Sequence, residues 1–145
     1  GPFAQAGVAA TFVEGRAPEA LGAADVALVA SGTATLEAAL MRRPLVVIYR
    51  LAPLSYWLGR ALVKAPYFCL VNLLANRRVV PELLQAEATP AAIVDALEPL
   101  WAGPAREAQL QGLDEVRALL GGPGAAARVA AAVLELTASG GRASR

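Results

Sequence analysis

The sequence predicts an α/β domain in which a Rossmann-like parallel sheet carries flanking helices, with further helices at the carboxyl end. Three runs of apolar and β-branched residues indicate the strands, because each run is short and helical patterns separate them. Since these runs are apolar on both faces, helices should cover both sides of the sheet, which is typical of parallel sheets. The crossovers between such strands are right-handed. The three runs are Val8–Val13, Val26–Ala30 and Leu45–Tyr49.

Two helices are expected between these strands. Pro18 fits the first turn of a short helix that ends near Ala23. Small and branched residues predict a second helix from Thr33 to Met41. The helix cannot continue beyond this point because Pro44 follows. The first half of the chain therefore alternates strand and helix.

The second half of the chain is predicted to be mainly helical. Thr89 is a suitable N-cap residue and Pro90 a suitable first residue for a helix that ends near Leu100. We expect one domain over residues 1–137, followed by a disordered tail over residues 138–145. The other expected elements are a helix over Pro53–Lys64, a fourth strand over Tyr67–Val71, and helices over Pro104–Leu120 and Pro123–Thr137.

Composition limits the class of protein. The chain has 145 residues, which is enough for one domain with a sizeable core. Hydrophobic residues make up 57% of it, and the mean hydropathy is +0.49. No uninterrupted apolar run reaches the roughly 18 residues that a membrane span needs. We therefore expect a soluble or peripheral protein.

Charge and the absence of histidine exclude several functions. With 13 basic and 12 acidic residues the net charge is +1, so no nucleic-acid partner is expected. Cys69 is the only cysteine, which excludes an internal disulfide and a cysteine-based zinc site. Without histidine the chain offers no serine–histidine pair and no imidazole base. We expect no metal site, no cofactor and no catalytic residue in this chain.

The stretch "SGT" follows the predicted strand that ends at Ala30. In open parallel sheets, ligands bind where strands end and helix N-termini present unpaired N–H groups. Gly32 lacks a Cβ and allows close approach of a ligand to the backbone. Hydroxyl groups of Ser31, Thr33 and Thr35 surround the same point. The pattern predicts a binding site for a phosphate or diphosphate.

Glu37 lies four residues after Thr33, about 6 Å along the predicted helix. At that distance its carboxylate suits a vicinal diol, from which it can accept two hydrogen bonds. The alternative is that Ser31, Gly32 or Thr33 caps the helix and Glu37 complements its dipole. A capping box requires the acid three residues after the cap, and Glu37 is out of that register. The residues alone leave both interpretations open.

The segment from Ala24 to Gln85 resembles the lipid-A-disaccharide synthases, bacterial glycosyltransferases of the GT-B fold. Four motifs in the same order carry the resemblance: "ASGTATLE", "PLVVIYR", "WLGRALVK" and "NLLANRRVVPELLQ". It extends from about Val8 to Leu100. Because members of that family are much longer, the resemblance implies that this chain is the carboxy-terminal, UDP-binding half of a GT-B enzyme.

The resemblance also implies roles for individual residues. Ser31, Gly32 and Thr33 would face the diphosphate of the nucleotide. Glu37 would hold the ribose hydroxyls. Arg50, at the end of the third predicted strand, would help to neutralise the diphosphate.

Three further site residues come from the last motif. Asn72 would reach the nucleotide-sugar with its amide, and Glu82 and Gln85 would either line the donor pocket or support Asn72. Val71 and Asn76 depart from the family pattern, which has proline and glycine there. Since Asn tolerates a left-handed backbone conformation better than most residues, we expect the turn at Asn76 to survive.

The implied reaction joins UDP-2,3-diacylglucosamine to the lipid acceptor 2,3-diacylglucosamine 1-phosphate. The implied place is the bacterial cytoplasm, peripheral to the inner membrane, and a homodimer is compatible with it. Two alternatives stay open at this point: a nucleotide-sugar epimerase, which shares the fold and the "SGT"-to-glutamate spacing, and a non-catalytic nucleotide-binding or dimerisation module.

Overall fold

The computed structural model describes residues 2–30, 32–50, 66–122 and 124–140. Three strands form one parallel sheet in the order β1-β2-β3. Val47 of the central strand lies between Val29 on one side and Glu82 on the other. The predicted α/β class with a parallel sheet is therefore confirmed. The strands are β1 (Ala27–Ala30), β2 (Leu45–Tyr49) and β3 (Glu82–Leu84).

Helices account for most of the remaining structure. Thr89 caps its helix as predicted, because its hydroxyl accepts a hydrogen bond from the Ala92 N–H at 3.2 Å. One short 3₁₀ helix, Gln85–Glu87, follows β3. A second, Glu98–Leu100, continues the helix that Thr89 caps. The α-helices are α1 (Pro2–Gln5), α2 (Ala17–Ala23), α3 (Ala34–Leu40), α4 (Leu70–Ala75), α5 (Pro90–Leu97), α6 (Pro104–Leu120) and α7 (Ala125–Gly140).

Two predicted segments lie wholly or partly beyond the described residues. Helix α7 continues to Gly140, so the first three residues of the expected disordered tail are helical. Residues 141–145 and the helix predicted over Pro53–Lys64 lie outside the described residues. In the described ranges, no helix combines the length and the apolar character that crossing a membrane would require.

The core lies on the two faces of β2. Leu45 and Val47 point to one face, where they pack in one cluster with α3, α4 and α6. Ile48 points to the opposite face and shares a cleft there with Ile93 of α5. Helices on both faces explain why β2 reads as a continuous apolar run.

A side chain completes the hydrogen bonding at the start of β2. The Gln109 amide oxygen accepts from the Leu45 N–H at 2.8 Å, and its amide nitrogen donates to the Leu45 carbonyl at 3.2 Å. Two residues later, the Val47 N–H donates to the Pro81 carbonyl at the start of the β2–β3 pairing. Since alternate residues of a strand hydrogen-bond toward the same neighbour, Gln109 of α6 fills the place that an earlier residue of β3 would occupy.

The strand predicted over Val8–Val13 is wrong. This segment has no strand pairing, and Phe12 is 82% exposed. Phe12 packs edge-on against Phe3 at 5.9 Å, and the Val8 N–H donates to the Phe3 carbonyl. An apolar, β-branched run forms a strand only where a neighbouring strand and a covering layer are present. Among the described strands β1 is accordingly an edge, with Leu28 44% exposed.

The strand predicted over Tyr67–Val71 is also wrong, and β3 was missed. The chain bends at Phe68 and Cys69 and then begins α4, with the Cys69 sulfur accepting from the Asn72 N–H at 3.5 Å. The Phe68 and Cys69 N–H groups donate to a side chain, so they are not available to a strand ladder. The third strand instead comes from Glu82–Leu84, where the sequence had indicated only site residues.

The turn after α4 forms as expected. Asn76 ends this helix in the left-handed conformation, with φ of 49°. Asn therefore takes the conformation for which glycine is the usual residue. Val71, the other residue that departs from the family pattern, is fully buried in α4.

Candidate functional site

The carboxyl ends of the three strands lie along one edge of the sheet, because the strands are parallel. The chain leaves this edge toward Gly32 after β1, at Arg50 after β2 and at Gln85 after β3. Three separate segments that carry predicted site residues thus meet at the edge where ligands bind in open α/β sheets. Ser31, the first residue after β1, lies outside the described residues.

The turn between β1 and α3 is open toward solvent. Gly32 has φ of 153°, a conformation that residues with a side chain rarely adopt, and among the described residues, its chain neighbours aside, no atom lies within 4 Å of the place where a Cβ would be. Thr33 is exposed, and its hydroxyl makes no capping hydrogen bond to α3. Backbone and hydroxyl groups at this turn are therefore accessible to a ligand.

The Thr35 hydroxyl is not accessible to a ligand. Its side chain is fully buried, and its hydroxyl donates to the Gly32 carbonyl at 2.7 Å. The expectation that Thr35 adds a donor for the phosphate is wrong, because the hydroxyl hydrogen is used to fix the turn. The bond stabilises the conformation in which Gly32 is open.

Glu37 lies one helical turn beyond this opening. Its N–H donates to the Thr33 carbonyl at 3.2 Å, which realises the predicted helical spacing, and its side chain is half-buried. No capping box forms here, since the Thr33 side chain accepts no bond from the helix. The Thr33 hydroxyl is therefore not the cap of α3, and the carboxylate lies one turn away from the open turn.

Arg50 joins the ends of β2 and β3. Its guanidinium donates to the Gln85 and Ala88 carbonyls, each at 3.4 Å. A guanidinium has five N–H donors, so Arg50 can bind an anion at the same time. Gln85 has φ of 52°, which is uncommon for a residue other than glycine, and the chain turns sharply there. A cleft of about 420 Å³ crosses this part of the edge and is lined by Ala30, Ile48, Tyr49, Arg50, Ala88 and Ile93.

Asn72 is fully buried, and its amide is fully hydrogen-bonded within the fold. The amide oxygen accepts from the Val79 and Val80 N–H groups at 2.7 and 2.9 Å. The amide nitrogen donates to the Val80 carbonyl at 2.9 Å and to Glu82 Oε1 at 2.7 Å. An amide side chain has two donors and two acceptor sites. Direct contact with a nucleotide-sugar, as the resemblance implied, would therefore require one of these bonds to break.

Glu82 is the partner that supports Asn72, which was the alternative role expected for it. Only 5% of this residue is exposed. Besides the Asn72 amide, its carboxylate accepts from the Phe68 N–H at 2.9 Å and from the Cys69 N–H at 3.3 Å. Burial, with Glu82 adding to it, raises the pKa of the Cys69 thiol to about 12. The thiol is therefore neutral and unreactive near pH 7.

A second cleft, of about 430 Å³, lies beside β3. The rings of Tyr67 and Phe68 form one side of it, and Phe68 also lies 6.5 Å from the Tyr49 ring, measured between centroids. The sequence patterns did not predict this turn; Glu82, a glutamate within an apolar segment, was the only signal for it. In the ranges that the structure covers, His, Cys, Asp and Glu side chains form no group of three or more that could hold a metal ion.

Comparison with known proteins identifies the family. The family model described as lipid-A-disaccharide synthetase matches residues 4–129. The chain belongs to the lipid-A-disaccharide synthetase family. A lipid-A-disaccharide synthase of Myxococcus xanthus is 55% identical over 139 residues, which are 95% of this chain and 36% of that protein. A protein of the same name from Anaeromyxobacter sp. (strain K) is 55% identical over 85% of this chain and 32% of its own length. Another, from Azotobacter vinelandii, is 62% identical over 61% of this chain and 23% of its own length.

The synthetase family confirms the resemblance inferred from the four motifs. An enzyme that makes a disaccharide joins two sugars, so the family is one of glycosyltransferases, and the epimerase alternative loses its support. The chain spans about a third of the length of the curated relatives that it matches over most of its own length.

Proposed function

We propose that this chain supplies the UDP-binding half of a lipid-A-disaccharide synthase. The complete enzyme would transfer 2,3-diacylglucosamine from UDP-2,3-diacylglucosamine to 2,3-diacylglucosamine 1-phosphate and release UDP. The observation that carries the proposal is the open turn at Gly32, which lies at the carboxyl edge of the sheet and is followed one helical turn later by Glu37. Membership in the synthetase family supports a nucleotide-sugar as the ligand class.

The proposed contacts follow from the chemistry of the side chains. The diphosphate would lie against the backbone and hydroxyl groups of Ser31, Gly32 and Thr33, with Arg50 supplying positive charge from the next strand. The carboxylate of Glu37 would accept hydrogen bonds from the ribose diol. Gln85 would contribute through its backbone carbonyl, which holds the Arg50 guanidinium at the end of β3.

We assign the base for the chemical step to residues outside this chain. A general base must take the proton of the acceptor hydroxyl as the new glycosidic bond forms, and histidine, the residue that most often does so, does not occur in this chain. The acceptor and the donor both carry acyl chains, so the complete enzyme would work at the inner membrane surface, on the cytoplasmic side. A homodimer is part of the same proposal and is open to measurement by light scattering.

Titration of the chain with UDP tests the proposed function. We expect saturable UDP binding but no disaccharide when both diacylated sugars are added, whereas the full-length enzyme should form it. Failure to bind UDP would overturn the proposal. Disaccharide formation by this chain alone would contradict the claim that the chemical step requires residues outside it. Incubation with UDP-N-acetylglucosamine and no acceptor should leave the sugar unchanged; an altered sugar would favour an epimerase.

Removal of divalent cations should leave the UDP affinity unchanged. Helix N–H groups and hydroxyls would donate hydrogen bonds to the diphosphate, and the Arg50 guanidinium would supply the positive charge that Mg²⁺ supplies in many phosphate sites. Calorimetric titration with UDP in EDTA and in excess Mg²⁺ should give the same dissociation constant. A large loss of affinity in EDTA would show that a cation mediates the diphosphate contact.

A further inference from the structure

The Asn72–Glu82 pair connects three segments that are separate in sequence. Asn72 is in α4, its amide oxygen holds the backbone at Val79 and Val80, and its amide nitrogen reaches Glu82 at the start of β3. The same Glu82 carboxylate accepts the N–H groups of Phe68 and Cys69, 14 and 13 residues earlier in the chain. One buried carboxylate thus fixes the turn before α4 against the strand that follows it.

This turn forms a wall of the donor edge. Tyr67 and Phe68 line the second cleft together with Arg78, and Phe68 approaches Tyr49 at the end of β2. Ala30, the last residue of β1, lines the first cleft together with Tyr49 at the end of β2. A nucleoside diphosphate bound at the turn after β1 therefore has the first cleft beside it, and Tyr49 connects that cleft to the turn at Phe68.

We propose that Glu82 is a positioning residue for the sugar part of the donor. It acts through the turn at Tyr67 and Phe68, whose backbone it holds, and not by touching the sugar. The inference rests on the proposed function, because it assumes that the diphosphate binds at the turn after β1. It assigns Asn72 the same indirect role, in place of direct contact with the nucleotide-sugar.

The test compares two ligands on the full chain and its Glu82→Gln variant. UDP serves as one probe, and UDP-N-acetylglucosamine, which adds a glucosamine ring without long acyl chains, serves as the other. Glutamine presents an N–H group where the carboxylate accepted one, so the hold on the turn is weakened. We expect the dissociation constant for UDP-N-acetylglucosamine to rise about three- to tenfold, and the constant for UDP to stay unchanged.

A reciprocal variant tests the connection itself. In the double variant Asn72→Asp, Glu82→Gln, the new glutamine amide can donate to the new aspartate, so the link between the two side chains is restored with the same net charge, and the glutamine oxygen can still accept the Phe68 N–H. The Cys69 N–H and the Val80 carbonyl lose the partners they had in wild type, so we expect this pair to recover only part of the UDP-N-acetylglucosamine affinity that Glu82→Gln loses; no recovery at all would overturn the role of the connection. Glu115→Gln is the matched control, since it removes one carboxylate from an exposed ion pair with Arg77. It should change neither dissociation constant.

The outcomes are distinguishable. If the wild-type chain binds neither probe, the proposed function fails and this inference fails with it. If UDP binds and Glu82→Gln weakens both probes equally, or neither, Glu82 has only a structural role and the inference is overturned. If the variants do not fold, amide hydrogen exchange of the wild-type chain tests the inference instead. We expect UDP-N-acetylglucosamine to slow exchange of the Phe68 and Cys69 N–H groups more than UDP does. Equal slowing by the two ligands would overturn the inference.

Discussion

Asn72→Ala is expected to lower the free energy of unfolding by about 3–5 kcal/mol. The change removes four hydrogen bonds and leaves the buried Val79 and Val80 backbone groups and the Glu82 carboxylate without this partner. Each unpaired buried polar group costs about 1–3 kcal/mol. The better helix propensity of alanine returns at most about 0.7 kcal/mol.

Urea denaturation followed by circular dichroism measures this loss. Gln111→Ala is the matched control, because it also truncates an amide within a helix but at an exposed position. It should change the free energy of unfolding by no more than about 0.5 kcal/mol. A loss below about 1 kcal/mol for Asn72→Ala would mean that water replaces the amide, and that the network does not hold the turn before β3.

Glu37→Gln should weaken UDP binding by about ten- to over a hundredfold and leave the fold intact. The reason is that a charge-assisted hydrogen bond to the ribose is worth roughly 1.5–3 kcal/mol. If Glu37 only complements the dipole of α3, the same change lowers stability by about 0.3–1 kcal/mol and leaves UDP affinity almost unchanged. Calorimetric titration and a melting curve on one variant separate these roles.

A ligand variant identifies the contact in the Glu37 experiment. Wild type should bind 2′-deoxy-UDP more weakly than UDP, and this difference should shrink in Glu37→Gln. An unchanged difference would show that another group holds the ribose. The proposed diphosphate site at Gly32 and Thr33 would then remain, but the proposed contact between Glu37 and the ribose would be withdrawn.

The elements that sequence patterns predicted correctly are those determined by their own residues. β2 is apolar on both faces, and its bounds match the prediction residue for residue. Helix α6 also matches, from Pro104 to Leu120, because proline begins it and Gly121, with φ of 74°, ends it. The open turn at Gly32 follows from the same local signals, namely a strand end, a glycine and a helix start.

The errors arise where distant groups decide the structure. Phe68 and Cys69 are apolar and suit a strand, yet a carboxylate 14 and 13 residues later binds their N–H groups and turns the chain. Asn72 is polar and invited a ligand role, but the fold uses all four of its hydrogen-bonding positions. No periodicity in the sequence marks such contacts, because they depend on which segments meet after folding.

The amide pairing between Gln109 and Leu45 has a consequence for the order of events during synthesis. The strand that carries Arg50 to the edge begins with a backbone pair whose partner comes 64 positions later in the chain. On the ribosome, the hydrogen bonding at the start of β2 is completed only after Gln109 of α6 has left the exit tunnel. A nascent chain that stops before Gln109 therefore leaves the Leu45 backbone groups without this partner.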